Sequence, residues 1–224
     1  MITWLASYPR SGNSLCRRVL EGYFGITSTS IYSEEPNHEL KPYIERDPPS
    51  LAEMTKADRH YWVKTHQPPD EETHPAICMV RDGRDALVSY TRIALEGGHF
   101  PSDADHETNF RTAMYNLIVG QSPFLTWSEN VLAWRQRPRT SWVRFEDLIV
   151  RPAEVVEQSL RALGVPFQRR AQPQCLALSE LRQLAPNRYR QGKPGGWRTE
   201  MPADLEALFW QRHGHAMEAF DYPR

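Results

Sequence analysis

Four stretches of the chain carry residue types that could act on an anion. The first is Tyr8-Pro9-Arg10-Ser11-Gly12-Asn13-Ser14, between an apolar run and a helical apolar pattern. Gly12 lets the backbone approach a ligand, the N–H groups of residues 12–14 would face it, and Arg10 adds a forked cation. Asn13 stands where the GxxxxGK[ST] phosphate loop carries its Lys, so that pattern fails. Taken alone, the segment also fits a strand–helix turn with no ligand. The second stretch is Lys64-Thr65-His66, whose cation and imidazole point to the same face of an extended segment. A lone His after a strand is more often structural; the company of Lys64 and Arg10 gives this one weight as a neighbour of an anion that they would hold. The third runs from Arg81 to Tyr90, with Arg81 at a strand end and Ser89 two turns into a helix. One anion gripped by both would be a phosphate held away from the first loop. The fourth is Tyr189-Arg190-Gln191-Gly192-Lys193-Pro194-Gly195-Gly196-Trp197-Arg198, a cationic glycine loop with an aromatic anchor.

Positioning these groups requires strands that end where helices begin. Residues 2–7 form a short apolar run read as a buried strand, and Leu15, Val19, Leu20, Tyr23 and Phe24 recur at helical spacing before Gly25. Residues 61–65 and 76–81 read as two more strands, the second running into an amphipathic helix over 84–95. Prolines 36, 42, 48 and 49 break the polar stretch 27–60, leaving a short helix near 50–58. Residues 96–109 read as a loop, followed by helices over 110–121 and 124–137 and a strand over 140–145. Pro152 opens a helix that Gly164 stops. Further helices are expected over 174–184 and 202–220, with a loop over 186–200. Strands alternating with helices, without an internal repeat, imply an α/β fold: a three-layer sandwich around a parallel sheet, as one domain over 1–224.

Composition narrows the function classes. The 224 residues carry 27 Lys+Arg against 28 Asp+Glu, a net charge of −1, which disfavours a nucleic-acid-coating protein. A 40% hydrophobic content with 7 Trp and 8 Phe excludes a disordered chain. The charge is unevenly spread: 11 acidic and 5 basic residues lie in 21–75, against 6 and 13 in 130–200. Only four of the 27 cations are Lys; the rest are Arg, suited to planar recognition of anions as well as to solvated surface. Cys16, Cys78 and Cys175 have no metal-ligand or disulfide spacing, so a reducing compartment is expected. The start shows no leader pattern and no stretch reaches a membrane span, so the reading is a cytoplasmic protein without a membrane partner.

Together the motifs resemble, in family order and over nearly the whole chain, the PAPS-dependent sulfotransferases, whose donor is 3′-phosphoadenosine 5′-phosphosulfate (PAPS). Tyr8–Ser14 resembles the YPKSGTT loop, Lys64-Thr65-His66 the KTH segment, Phe145-Glu146-Asp147-Leu148 the YEDL segment, and the loop from Arg190 to Trp197 the RKGxxGDWK segment. Arg81 and Ser89 match, at identical spacing, the pair that holds the donor's 3′-phosphate. The resemblance implies a P-loop NTPase-like sulfotransferase fold and transfer of a sulfuryl group to a hydroxyl or amine of a small-molecule acceptor, releasing the bisphosphate PAP. It implies catalytic roles for His66, Lys64 and Arg10, with His66 the general base. Donor contacts are implied for Arg10, Ser11, Gly12, Asn13, Ser14, Arg81, Ser89, Phe145, Arg190, Gln191 and Gly192, and no metal is required. The chain departs from the pattern at Arg10 for Lys, Leu15 where many members have an adenine-stacking Trp, Phe145 for Tyr, Gln191 for Lys and Gly196 for Asp.

Two other readings fit less well. A P-loop small-molecule phosphotransferase conflicts with Asn13 and leaves the Lys64–His66 pair without a task. A non-catalytic adenosine 3′,5′-bisphosphate-binding protein has no need of His66. Trp127 and Trp134, seven apart, read as core. His213 and His215, two apart on a helix, do not share a face as metal ligands would. His99, His106, Glu34 and Glu35 read as solvated, and the acceptor site would be shaped by 27–60 and 96–109.

Overall fold

The computed structural model describes residues 1–32, 43–45, 47–98, 104–175, 180, 181, 183 and 193–224. Five strands form one parallel sheet: β1 (Ile2–Ser7), β2 (Thr29–Ser30), β3 (Tyr61–Thr65), β4 (Ala76–Val80) and β5 (Thr140–Arg144), in the order β2-β3-β1-β4-β5. β1 is the central strand, and all six of its residues are buried. Its register pairs Leu5 with Lys64 and Ala6 with Thr65 on one side, and Ser7 with Met79 on the other. Strands buried on both faces read as continuous apolar runs, which is why residues 2–7 and 76–80 lack a polar alternation.

The helices are α1 (Asn13–Phe24), α2 (Leu51–Lys56), α3 (Gly83–Glu96), α4 (His106–Val119), α5 (Trp127–Gln136), α6 (Phe145–Leu148), α7 (Pro152–Ala162), α8 (Trp197–Glu200) and α9 (Ala203–Ala219). Alternate strand residues face opposite layers. Leu5, Ile77, Met79 and Val143 pack with Val19 and Leu20 of α1 and Val156 and Leu160 of α7. Ile2, Trp4, Ala6, Ala76 and Cys78 face the other way, onto Met54 of α2 and Trp134 of α5. A further cluster joins α3, α4, α5 and α9 through Leu87, Leu117, Trp127 and Phe209. Trp127 and Trp134 are thus both core residues, though in separate clusters. From β1 the chain moves to β3 on one side and later to β4 on the other. The crevice for a ligand is therefore at the carboxyl ends of these three strands.

Several boundaries differ from the sequence expectation for local reasons. The strand expected to reach residue 81 stops at Val80, and Asp82 caps α3 by accepting from Arg84 N at 2.9 Å. The last strand ends at Arg144; Phe145 instead opens the single turn of α6. α4 begins at His106, within the expected loop, because the Asp105 carboxylate accepts from the N–H groups of Glu107 and Thr108. α5 begins only at Trp127: Leu125 is left-handed (φ 65°), and Thr126 and Glu129 form a capping box. The two-residue β2 was not anticipated. The helix expected over 174–184 lies largely outside the described residues.

Candidate active site

The loop after β1 makes its turn with two left-handed residues, Arg10 (φ 67°) and Gly12 (φ 103°). A Cβ on Gly12 would come within 2.9 Å of Phe145 Cδ2, so this position needs glycine for space as well as for backbone angle. Gly12 is also the N-cap of α1, with no side-chain cap and no acidic residue in the first turn. Leu15 N and Cys16 N both donate to Gly12 O. The N–H groups that precede them have no intrahelical acceptor and form the positive end of the helix dipole. A helix start of this kind can bind an anion. The Asn13 side chain turns the other way: its Nδ2 donates to Leu5 O (2.8 Å) and Ser7 Oγ (3.3 Å).

Arg10, Arg81, Ser89 and Phe145 converge. Arg10 Nε donates to Ser89 Oγ at 2.9 Å, and Arg81 Nη1 donates to Arg10 O at 3.2 Å. The Arg81 guanidinium lies over the Phe145 ring, 4.3 Å from its centroid. Burial pulls Arg81 below the usual guanidinium range, opposed by Asp85, Glu146 and Asp82. Arg10 thus links the first loop to the Arg81–Ser89 pair, which the sequence reading had set apart from it. Asp85 and Glu146, which spacing alone did not single out, lie near Arg81. Asp85 accepts from the N–H groups of Gly195 (2.7 Å) and Trp197 (2.9 Å), and lies 3.9 Å from Arg81 Nη2. Glu146 accepts from Asp82 N and from the Tyr222 hydroxyl. Both carboxyls are raised above the ordinary range by burial.

His66 sits just beyond β3, with Nδ1 2.8 Å from Ser7 O and 3.2 Å from Ser7 Oγ. A carbonyl only accepts, so Nδ1 carries a proton, and in the neutral ring the lone pair is then on Nε2. Three neighbours fix the rest of the residue. Its N–H donates to the Tyr32 hydroxyl (2.8 Å), its carbonyl accepts from Asn130 Nδ2 (2.9 Å), and its ring stacks on Tyr32 and meets the edge of Phe124. Lys64 Nζ lies 5.5 Å from the Tyr32 centroid. Tyr90 extends this aromatic wall to Phe124 and Tyr8. Burial raises the phenols of Tyr8, Tyr32 and Tyr90, so they stay neutral. The imidazole is thereby oriented beside the loop that follows β1, an arrangement suited to proton abstraction next to an anion.

A family model described as "Sulfotransferase domain" matches residues 2–220. The chain belongs to the sulfotransferase family. It is similar to sulfotransferase 1E1 of Mus musculus, 24% identical over 152 residues that cover 63% of this chain and 50% of the mouse protein. To sulfotransferase 1E1 of Rattus norvegicus it is 23% identical over 246 residues, covering 93% of this chain and 82% of the rat protein. The aligned region thus spans half the length of the mouse relative and most of the rat one. Among solved structures, mouse sulfotransferase SULT7A1 complexed with PAP matches with a TM-score of 0.66 at 16% identity, covering 96% of this chain and 83% of that one. Retinol dehydratase in complex with androsterone and inactive cofactor PAP matches at 0.61 and 16%, with coverage of 96% and 80%. At these identities the structural likeness is one of fold.

Of the residues expected at the site, Arg10, Arg81, Ser89 and Phe145 are brought into contact, Asn13 is joined to His66 through Ser7, and Lys64 shares Tyr32 with His66. Ser11 is fully buried beneath the loop. Leu15, at the position where many sulfotransferases carry Trp, is buried in the core beside α7. Arg190, Gln191 and Gly192 lie outside the described residues, as does His99; Asp85 holds the turn that follows this loop. His106 is exposed at the start of α4, whereas His213 is buried, bonded to Ser128 Oγ and Ile118 O. Among the described residues no group of His, Cys, Asp and Glu could hold a metal ion, and no helix is long and apolar enough to cross a membrane.

Proposed function

We propose that this sulfotransferase moves the sulfuryl group of PAPS to a hydroxyl or amine of a small-molecule acceptor. The observation that carries the reading is the fixed His66 tautomer, with Nδ1 on Ser7 O, beside the uncapped start of α1. The acceptor's oxygen or nitrogen attacks sulfur, the bond from sulfur to the bridging oxygen breaks, and its electron pair leaves on the 5′-phosphate of PAP. His66 Nε2 takes the acceptor proton. Lys64, Arg10 and the N–H groups of residues 12–14 stabilise the charge that builds on the leaving group. Arg81, Ser89 and Arg190 hold the 3′-phosphate, which positions the donor without touching the reacting bond. Phe145, Gln191 and Gly192 complete the donor site. The Arg10–Ser89 bond makes Arg10 a bridge between the two ends of the donor. These cations supply the compensating charge, so the reading calls for no metal.

We further propose that the chain works as one domain over 1–224, in the cytoplasm, with no nucleic-acid partner. Among the described residues Cys16, Cys78 and Cys175 form no disulfide, which fits a reducing setting. The test is label transfer from PAPS and from ATP across pools of phenols, alcohols, sugars and amines. PAPS-dependent transfer is expected, with His66→Ala losing at least ~100-fold in kcat while keeping PAP affinity. Transfer from ATP and never from PAPS, or full turnover by His66→Ala, would overturn it.

A further inference from the structure

Asn13 stands in the donor loop, yet its amide works on the opposite side of that loop. Its Nδ2 reaches Leu5 O at 2.8 Å and Ser7 Oγ at 3.3 Å, and the residue is 5% exposed. Leu5 O can only accept, which fixes the amide with its nitrogen toward β1. Ser7 is the last paired residue of β1, and its own carbonyl and hydroxyl are the two groups on His66 Nδ1. The Ser7 carbonyl must point at the imidazole for the proton to stay on Nδ1. Asn13 Nδ2 and His66 Nδ1 share the Ser7 hydroxyl, so the Asn13 amide holds the Ser7 side chain in place against the imidazole. Asn13 Oδ1, meanwhile, is buried with no partner. A buried carbonyl left unmade offsets what the two Nδ2 bonds contribute, so stability alone does not account for the amide.

We propose that the Asn13 side chain is a positioning residue for His66, acting through Ser7, while its backbone N–H remains part of the donor loop. The inference rests on the reading of His66 as the base. It assigns the amide to the proton-transfer half of the site instead of the donor half. A loop residue that grips the donor and one that orients the base differ in what their removal changes. Loss of a donor contact weakens PAP binding, whereas loss of orientation lets the imidazole proton move to Nε2, and molecules in that state cannot accept the acceptor's proton.

The experiment compares Asn13→Ala and Ser7→Ala with wild type and His66→Ala. It reads PAP affinity by calorimetry, steady-state kinetics with PAPS, and the protonation of the His66 ring nitrogens by nitrogen-15 NMR. Both variants are expected to bind PAP within about twofold of wild type, to keep KM for PAPS, and to lose roughly tenfold or more in kcat, part of what a general base contributes. Wild type should show the proton on Nδ1, and Asn13→Ala a mixture of the two tautomers. An Asn13→Ala enzyme with weakened PAP binding and unchanged kcat, or with an unchanged tautomer, would overturn the proposal. If Asn13→Ala does not fold, Ser7→Ala decides the question by the same three readings. Failure of the underlying reading is separate: His66→Ala would then retain turnover, while the nitrogen spectrum still reports whether Asn13 sets the tautomer.

Discussion

Gly12→Ala probes the point where the donor loop, Phe145 and Arg81 depend on one another. The backbone there has φ 103°, and an L-residue held in left-handed backbone costs about 1–2 kcal/mol. The added Cβ would lie 2.9 Å from Phe145 Cδ2, closer than carbon atoms pack, with Leu148 Cδ2 at 3.6 Å behind it. The Phe145 ring is 7% exposed and has Arg81 on its face, so it has little room to retreat. Overpacking of this kind costs about 1–3 kcal/mol. The two effects together come to about 2–5 kcal/mol, or a fall in Tm of roughly 4–20 °C for a chain of this size. Because Phe145 supports Arg81, PAP affinity should fall at the same time, by about tenfold or more. Urea denaturation and calorimetric titration with PAP measure the two effects. Phe145→Leu in the Gly12→Ala background should relieve the clash, leaving the double variant about 1–3 kcal/mol more stable than additivity predicts. Strict additivity, with Gly12→Ala within about 0.5 kcal/mol of wild type and PAP binding unchanged, would refute the reasoning.

Arg81→Lys keeps the charge but loses the planar group that stacks on Phe145 and donates to Arg10 O. It should weaken PAP by about tenfold and leave adenosine 5′-monophosphate, which lacks the 3′-phosphate, within about twofold; equal losses for both nucleotides would remove Arg81 from the 3′-phosphate. A pH effect comes from His213, whose pKa burial pulls down to about 4. An unfolded chain takes up this proton below pH ~6.5 and the folded one does not, so stability is full above that pH. It declines as pH falls, with about 3 kcal/mol lost by pH 4. His213→Gln should flatten that part of the curve in denaturation at pH 7.5, 6 and 5, and an identical slope in both proteins would refute the assignment.

The parts of this site that were legible in the sequence are those written locally. Gly12 after an apolar run and Arg81 with Ser89 eight apart each lie within one strand–turn–helix unit, and Lys64 and His66 lie two apart at the end of one strand, where periodicity and turn chemistry act over short range. The orientation of His66 was not legible, because its partners lie 59, 34 and 64 residues away at Ser7, Tyr32 and Asn130. The position of Arg10 depended on one left-handed φ angle, which no spacing rule assigns to an arginine. Phe145 read as the end of a strand because aromatic residues suit strands; Glu146, held by Asp82 N and Tyr222, instead belongs to a helical turn. β2, at two residues, is too short to carry a period.

The central place of β1 has a consequence for how the chain is made. Its neighbours in the sheet come later, and β4 ends 73 residues after β1 does. At ~5–20 residues per second of synthesis, the first strand waits roughly 4–15 s before both of its edges can be covered. During that interval a hexapeptide that the fold buries completely, ITWLAS, is available to other chains. The order of the strands that places β1 between β3 and β4 therefore also leaves β1 open to misassembly until β4 has been made. Slower release of residues 8–80, by rare codons or lowered temperature, should lengthen that exposure and reduce the yield of folded enzyme.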